Sequence, residues 1–574
     1  MTGQPTPGGE AWPTGGGRSD LALGPESSGG AGGGGTGGGG AGGGGAGGGG
    51  AEGGGGSGPE PNGGDGPTRT PDARGEPGRE HTPPAPVERQ ETWTGPDGDV
   101  AVTSRAAWLV LREDERPVAE VFSVSYVAGD PSAGQDRPVT FVFNGGPGAS
   151  SVYLHLGALG PRRVGFSPDG RILPPPARLV DNAESWLAFT DLVFVDPVGT
   201  GFSRVVEPRT GRTTEPRKGE DKEPDPKAFF GLKRDLESLG EFVARWLSEH
   251  GRWGSPVYVA GESYGGFRAA KLVRLLTETY GVGLSGALMI SPALEFSLLD
   301  PSDYDVLPWV DVLPTMAAAA SLHGRSDAHP RGTRLSRVLA DAEDFATGEY
   351  ATFLVRGAGM PAEDRDRVLR RAAGLTGLPE QRLRLAEGRI GIESFAREML
   401  RDEGRVLALY DASVAVRDPF PDRDKFAGPD PSLAGISPVF SGGINQRLRG
   451  ELGLRTDRTY ELLSEEVNKH WRIDLERHAL ESQVGATDDL RYGMSLDPHV
   501  RVFLTHGRYD LVTPYYASDR LRNLMRLDPE TAGRVTVRHF DGGHMFYTWD
   551  SSRRAFRDEV AAFYQASDTS RPAT

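Results

Sequence analysis

Apolar and polar positions change rhythm twice along this chain, and each change marks a different kind of structure. From Asp99 the pattern is that of strands. DVAVTSRAAWLVL and PVAEVFSVSYVAG read as two antiparallel strands around the turn-like REDERP. RPVTFVFN, TDLVFVD, PVYVAG and LSGALMISP are short and almost continuously apolar, as strands buried on both faces are. Between them lie stretches of helical period, AFFGLKRDLESLGEFVARWLSEHG and FRAAKLVRLLTETYG, each closed by glycine. Strands alternating with helices predict an α/β fold, a mostly parallel sheet covered on both faces.

The alternation stops between Ala293 and about Leu496, where stretches such as LSRVLADAEDFATGEYATFLV and LRLAEGRIGIESFAREML are helical and charged. It resumes with HVRVFLTHGRYD, RVTVRHFDGGH and the helix RRAFRDEVAAFYQA. A helical insertion between two late strands is expected to cap the carboxyl ends of the sheet, where open α/β sheets bind ligands. The expected organisation is a tail over 1–90, core over 91–292, a helical cap over 293–496, and core again over 497–574.

Composition sets the tail apart. The first 58 residues hold 30 of the 82 glycines, too little apolar surface to offset the entropy of ordering, so disorder is expected to about residue 90. Its GxGxxG matches have no strand before them and no helix after, which removes a dinucleotide reading. About 480 residues remain, ample for a large core. The net charge is −16; the first 90 residues carry ten Asp and Glu against five Arg, leaving −11 on the rest and no basic footprint for nucleic acid. No apolar run of 18 residues exists, so no membrane span is expected. The chain has no cysteine, which excludes disulfides, thiol catalysis and Cys-ligated metals. With no visible signal peptide, this favours the cytoplasm. No cofactor and no metal site is expected, and HExxH is absent.

Gly261-Glu262-Ser263-Tyr264-Gly265 fits G-x-S-x-G and lies between an expected strand and helix, the context in which a sharp turn exposes a serine hydroxyl. A serine needs a base, and the base an orienting acid. The order Ser…Asp…His points to Asp510, at the end of VFLTHGRYD, and His544, in the glycine-loosened HFDGGHM; His506 and His539 are the alternatives. Asn144-Gly145-Gly146-Pro147-Gly148 follows an early strand, where a donor for an oxyanion belongs, although a plain glycine turn would look the same.

These residues together resemble the serine carboxypeptidases of the α/β-hydrolase fold. FVFNGGPGASS is similar to that family's NGGPGxSS loop, LVFVDPVGTGFS to its VDQPVGTGFS, GESYGG to its GESYxG elbow, and GRYDLVTP and GGHM to its acid and histidine segments. The resemblance implies Ser263 as nucleophile, Asp510 as orienting acid and His544 as base. It implies an oxyanion hole from the backbone N–H groups of Gly146 and Tyr264, and binding of the substrate's terminal carboxylate by Asn144 and Glu262. One family acid is missing: Ala158-Leu159-Gly160-Pro161 stands where Glu-x-Gly-Pro is usual, and the adjoining Arg162 and Arg163 are candidates to bind the carboxylate instead. The Gln of VDQPVG is absent too. The implied activity is hydrolysis of the C-terminal peptide bond of a peptide substrate. A serine esterase or acyltransferase with the same triad, or a non-catalytic binding protein on that scaffold, are the alternatives.

Overall fold

The computed structural model describes residues 81–129, 137–206, 226–423, 426, 428, 430–473 and 484–568. Apart from residues 81–90, the expected tail lies outside them. Nine strands carry the architecture: β1 (Val87–Gly95), β2 (Gly98–Glu113), β3 (Arg116–Ala128), β4 (Val139–Phe143), β5 (Asp191–Val195), β6 (Val257–Glu262), β7 (Gly286–Ile290), β8 (Arg501–Gly507) and β9 (Val535–Phe540). They lie in the order β1-β2-β3-β5-β4-β6-β7-β8-β9, with the two-residue strand Arg204–Val205 also paired to β3. The first three pair antiparallel, and β3 meets β5 antiparallel. From β5 to β9 every pairing is parallel. An antiparallel entry followed by a parallel sheet, with the helical excursion between β7 and β8, is the α/β-hydrolase fold expected from the sequence.

The parallel strands are buried because both of their faces are covered. Phe141, Val193, Val259, Met289 and Leu504 face one apolar cluster; Val142, Phe194, Ala260, Ile290 and Phe503 face another. The first is roofed by α1 (Leu232–Glu249) and α2 (Tyr264–Tyr280), through residues such as Phe242, Trp246, Phe267 and Val273. The C-terminal helix Asp550–Asp568 closes the second through Phe556, Val560 and Phe563. Register then fixes the functional edge. Phe143 pairs with Gly261, Glu262 with Ile290, Ile290 with Thr505, and Gly507 with Phe540, so the loops after five strands start side by side.

The sheet begins earlier than expected. β1 starts at Val87, inside the segment read as tail, and pairs with β2 from Val87↔Ala106 to Gly95↔Gly98. Its side chains are mostly polar, so no apolar alternation announces it. It is held by the ladder, by Gln90 to Thr103 at 2.9 Å, by the buried Trp93 whose Nε1 donates to Asn182 O at 3.0 Å, and by the Glu91–Arg447 ion pair.

The insertion after β7 is mainly helical and is not a separate body: the described residues from Pro83 onward form one compact unit. Helices α3 (Leu307–His323), α4 (Leu335–Phe345) and α5 (Ala362–Thr376) share an apolar cluster that includes Tyr509 and Leu511 of the loop after β8 and Tyr515 at the start of the next helix. A short hairpin, Arg405–Leu407 with Ala415–Arg417, is the β structure that the helical reading missed there. Among the described residues, no helix is long and apolar enough to cross a membrane.

One buried ion pair joins the two helices to the loop after β4. Arg268 on α2 grips Asp235 on α1 through Nε (2.8 Å) and Nη2 (3.0 Å), and its Nη1 donates to Asn144 O at 2.7 Å. Tyr264 Oη donates to the same Asp235 at 2.9 Å. Removing one partner of such a pair leaves an uncompensated buried charge. Arg268→Ala is therefore expected to lower the unfolding free energy by roughly 3–5 kcal/mol, measured by urea denaturation, with a smaller loss in Arg268→Met/Asp235→Leu. A loss below about 1 kcal/mol in the single variant would show that the pair is not a tie.

Candidate active site

Ser263 sits between β6 and α2 with φ 60° and ψ −123°, a conformation a side chain rarely adopts. Such strain costs of the order of 1–3 kcal/mol and persists only where the surroundings dictate it. Here they do. Ser263 N donates to Ile290 O at 2.9 Å, and Ser263 O accepts from Gly266 N, Phe267 N and Ala293 N at 2.9, 3.3 and 3.2 Å. The turn also needs its glycines: a Cβ on residue 261 would fall 1.9 Å from Gly265 O. The loop after β4 presses on the same point, since a Cβ on residue 145 would lie 2.6 Å from Tyr264 N. That amide opens helix α2, where a backbone N–H has no acceptor within the helix.

Asp510 and His544 arrive on the loops after β8 and β9. His544 Nδ1 and Asp510 Oδ2 are 2.6 Å apart, both side chains buried. Asp510 is fixed in turn by Val512 N (2.9 Å), Thr513 N (3.0 Å) and Thr513 Oγ1 (2.7 Å). Burial alone would pull the His544 imidazolium down, but the charge and hydrogen bond of Asp510, with the charge of Glu262, outweigh it and raise its pKa. The backbone holds the ring in place: His544 N donates to Tyr410 O at 2.6 Å, and Ser291 Oγ donates to His544 O at 2.8 Å. The Tyr410 ring meets the imidazole edge to face at 5.2 Å. The rival histidines have other partners. His506 is bonded to Thr513 O (3.0 Å) and Ser518 Oγ (2.8 Å), and His539 to Asp519 (3.1 Å).

Asn144 and Glu262 are hydrogen-bonded to each other, Nδ2 to Oε2, and both are buried. Asn144 Oδ1 accepts from Leu154 N at 3.0 Å, which leaves its amide nitrogen facing the carboxyl. Burial pushes Glu262 up to about 7, against the opposing pull of His544, Tyr547 and Asn144. A carboxyl that keeps its proton near neutrality can donate as well as accept.

Arg162 and Arg163 do not join this cluster. Arg162 is bound to Asp181 and, at 3.0 Å, to Glu451. Arg163 lies among Arg553, Glu184 and Asp550, and its Nη1 donates to Val164 O at 3.3 Å. The structure does not bring either to the Asn144–Glu262 pair: both sit on the short strand pair Arg162–Val164 with Leu179–Asp181, and Arg162 is held there by Asp181 and Glu451. Sequence reasoning also passed over groups that the structure brings in. Thr513 was visible as the third residue after the acid; Tyr410, in the cap, and Tyr547, three residues after His544, carried no motif of their own.

The raised pKa of Glu262 has a consequence for stability. Between its ordinary value near 4.5 and about 7 the unfolded chain has lost a proton that the folded chain keeps. Stability from this group is therefore full below the lower value and is lost as pH rises through the higher. Relative to wild type, Glu262→Gln should gain stability from pH 5 to pH 8, approaching the order of 3 kcal/mol, in thermal or urea unfolding. A pH-independent difference would show that Glu262 ionises normally.

Residues 120–292 match the family model described as serine carboxypeptidase. The chain is 30% identical over 176 residues to Serine carboxypeptidase-like 36 of Arabidopsis thaliana, covering 30% of this chain and 31% of that protein. It is 32% identical over 155 residues to Pheromone-processing carboxypeptidase KEX1 of Saccharomyces cerevisiae, 27% of this chain and 19% of that protein. Among solved structures, KEX1(delta)p, a prohormone-processing carboxypeptidase from the same yeast, aligns over 81% of this chain and 91% of its own at 17% identity, with a TM-score of 0.48. The chain spans about a third of the first curated relative and a fifth of the second. The matched segment holds the Asn144 loop, the Asp196 loop and the Ser263 elbow, and in it the chain is similar to the serine carboxypeptidases.

Proposed function

We propose that this chain is a serine carboxypeptidase, an exopeptidase that releases the last residue of a peptide through an acyl-enzyme on Ser263. The observation that carries the reading is the Asn144–Glu262 pair: a buried, proton-holding carboxyl one residue before a strained serine, beside the Asp510–His544 pair. An endopeptidase or a general esterase has no need of such a group next to its nucleophile.

In this reading Ser263 Oγ attacks the carbonyl carbon of the last peptide bond. Its proton passes to His544 Nε2, left available because Nδ1 is turned to Asp510. The N–H groups of Gly146 and Tyr264 receive the negative charge that develops on the carbonyl oxygen. Collapse breaks the C–N bond, and His544 returns the proton to the departing amine. Water then adds to the acyl carbon with His544 again taking a proton, which frees the shortened peptide and restores Ser263. Asn144 and protonated Glu262 hold the terminal carboxylate of the outgoing residue, and so confine cleavage to the chain end.

Two pH demands follow. His544 must be neutral to act as base, and Glu262 must be protonated to accept a carboxylate. Ser263→Ala is expected to lower kcat by about 10⁴-fold or more at unchanged fold, and a fluorophosphonate to label Ser263. Wild type should cleave a free-acid peptide faster than its C-terminal amide, with the preference declining as pH rises through about 7. Equal rates on acid and amide at every pH would replace this reading with an esterase or endopeptidase.

A further inference from the structure

Ser291, the residue after β7, is buried and holds φ 44°, in the left-handed region that a side chain disfavours. Such strain persists only where the surroundings impose it. Ser291 N donates to Thr505 O of β8 at 2.7 Å, and the turn so fixed directs two groups at the acid–base pair. Ser291 Oγ donates to His544 O at 2.8 Å, and Ser291 O faces the hydroxyl of Thr513. Thr513 Oγ1, itself buried, is where these contacts meet. It lies 2.7 Å from Asp510 Oδ2, 3.1 Å from Ser291 O and 3.2 Å from His544 Nδ1.

A hydroxyl has one proton for these three neighbours. His544 Nδ1 carries the hydrogen that bonds Asp510 Oδ2 at 2.6 Å, so towards the threonine it can only donate. The threonine proton therefore goes to an oxygen, and of the two candidates the carboxylate is both nearer and charged. Asp510 is then fully engaged: Oδ1 accepts from Val512 N and Thr513 N, Oδ2 from Thr513 Oγ1 and His544 Nδ1. Thr513 thus supplies two of its donors, one of them on the oxygen that the imidazole uses.

We propose that Thr513 is a positioning residue of the acid–base pair: its hydroxyl shares Asp510 Oδ2 with His544, holds that oxygen in place and sets how much of its charge the imidazole feels. The inference rests on the triad reading, in which His544 Nε2 takes the Ser263 proton. Donation by Thr513 spreads the carboxylate's charge over two donors, so the imidazolium is stabilised less and the base stays neutral to lower pH. The other groups around His544 are Glu262 from the elbow, Tyr410 from the inserted segment and His506 on β8. Glu262, when ionised, favours the imidazolium, and burial holds His506 well below its ordinary range and so uncharged near neutrality. Thr513 differs from these in contacting the acid and the base at once.

The test reads the imidazole directly. The pKa of His544 is followed by NMR in Ser263→Ala, with His544→Gln to assign the signal, and compared after adding Thr513→Val, Thr513→Ala or Thr513→Ser. Valine keeps the branched shape of threonine, and alanine places no apolar group against the carboxylate, so the two check each other. Loss of the hydroxyl should raise the pKa by about half a pH unit or more, and serine should leave it close to the parent value. With Ser263 present, the acid limb of kcat/KM on an activated ester, which has no terminal carboxylate to engage Glu262, should move up equally in Thr513→Val and return in Thr513→Ser. Ser291→Ala separates charge from placement: it removes the bond to His544 O and leaves Thr513 on Asp510, so it should lower kcat without moving the limb. A pKa that stays or falls in Thr513→Val overturns the proposal. So does a serine variant as displaced as valine, which would make packing of the methyl the cause, or a limb moved as far by Ser291→Ala. Full turnover in Ser263→Ala would instead sink the triad reading, whatever the imidazole does.

Discussion

A single guanidinium, that of Arg268, lies where three parts of the molecule meet, and the geometry of the nucleophile depends on it. Its fork closes on Asp235 of α1, its remaining arm reaches the carbonyl of Asn144, and its plane covers the ring of Tyr264 at 4.5 Å. Helix α2 carries both Arg268 and, at its first position, the residue after Ser263. The loop that would supply an oxyanion donor is thereby tied to the helix that presents the serine. Arginine suits this task because its five donors are fixed in one plane; a lysine could satisfy one of these acceptors at a time. Buried ion pairs are poor sources of net stability, so the gain here is in specification of geometry.

The inserted segment completes what the sheet begins. One part of it holds the acid and base loops: Leu511 N donates to Leu409 O at 3.0 Å, Ala412 N to Tyr509 O at 2.8 Å, and His544 N to Tyr410 O. Another braces the glycine loop from outside. Ser464 N donates to Gly148 O at 2.8 Å, Asn468 Nδ2 to Pro147 O at 3.1 Å, and Trp471 Nε1 to Tyr264 Oη at 3.1 Å. A cap built this way is part of the framework that holds these loops. Substitutions that loosen Tyr410 or Asn468 would shift the backbone that holds the loops after β8, β9 and β4.

How far the sequence could be read follows from where the determining contacts lie. The elbow at Ser263 was legible because its physics is local: two glycines, a strand before and a helix after. Asp510 and His544 were legible because chain order and strand ends confine them. The parallel strands were legible because burial on both faces writes a continuous apolar run. β1 was not, since Glu88, Gln90 and Thr92 alternate without an apolar face and the strand is held by partners distant in sequence. Arg162 and Arg163 misled for the same reason: their nearness to Ala158 in the chain says nothing of Asp181 and Glu451, which occupy Arg162 in space. Tyr547 was invisible because its place beside Glu262 is set by the fold, and no motif surrounds it in the chain.

A common constraint runs through the buried acids around this site. Glu262 is pushed up to about 7 and Asp196 and Asp411 to about 6, each first by burial. Asp196 orders the loop after β5 by accepting from Ser151 and Tyr460, and Asp411 sits beside the glycine that precedes His544. Asn144, Ser151, Tyr460 and Ser413 supply hydrogen bonds to these three, whereas Asp235 and Asp191 are paired with arginines. Where the fold must be rigid, a cation is supplied. In the carboxypeptidase reading, Glu262 is left to hold a proton because a fixed anion there would repel the chain end. Recognition of a carboxylate by a second, protonated carboxyl is self-limiting in pH, and that limit is set by how deeply Glu262 is buried.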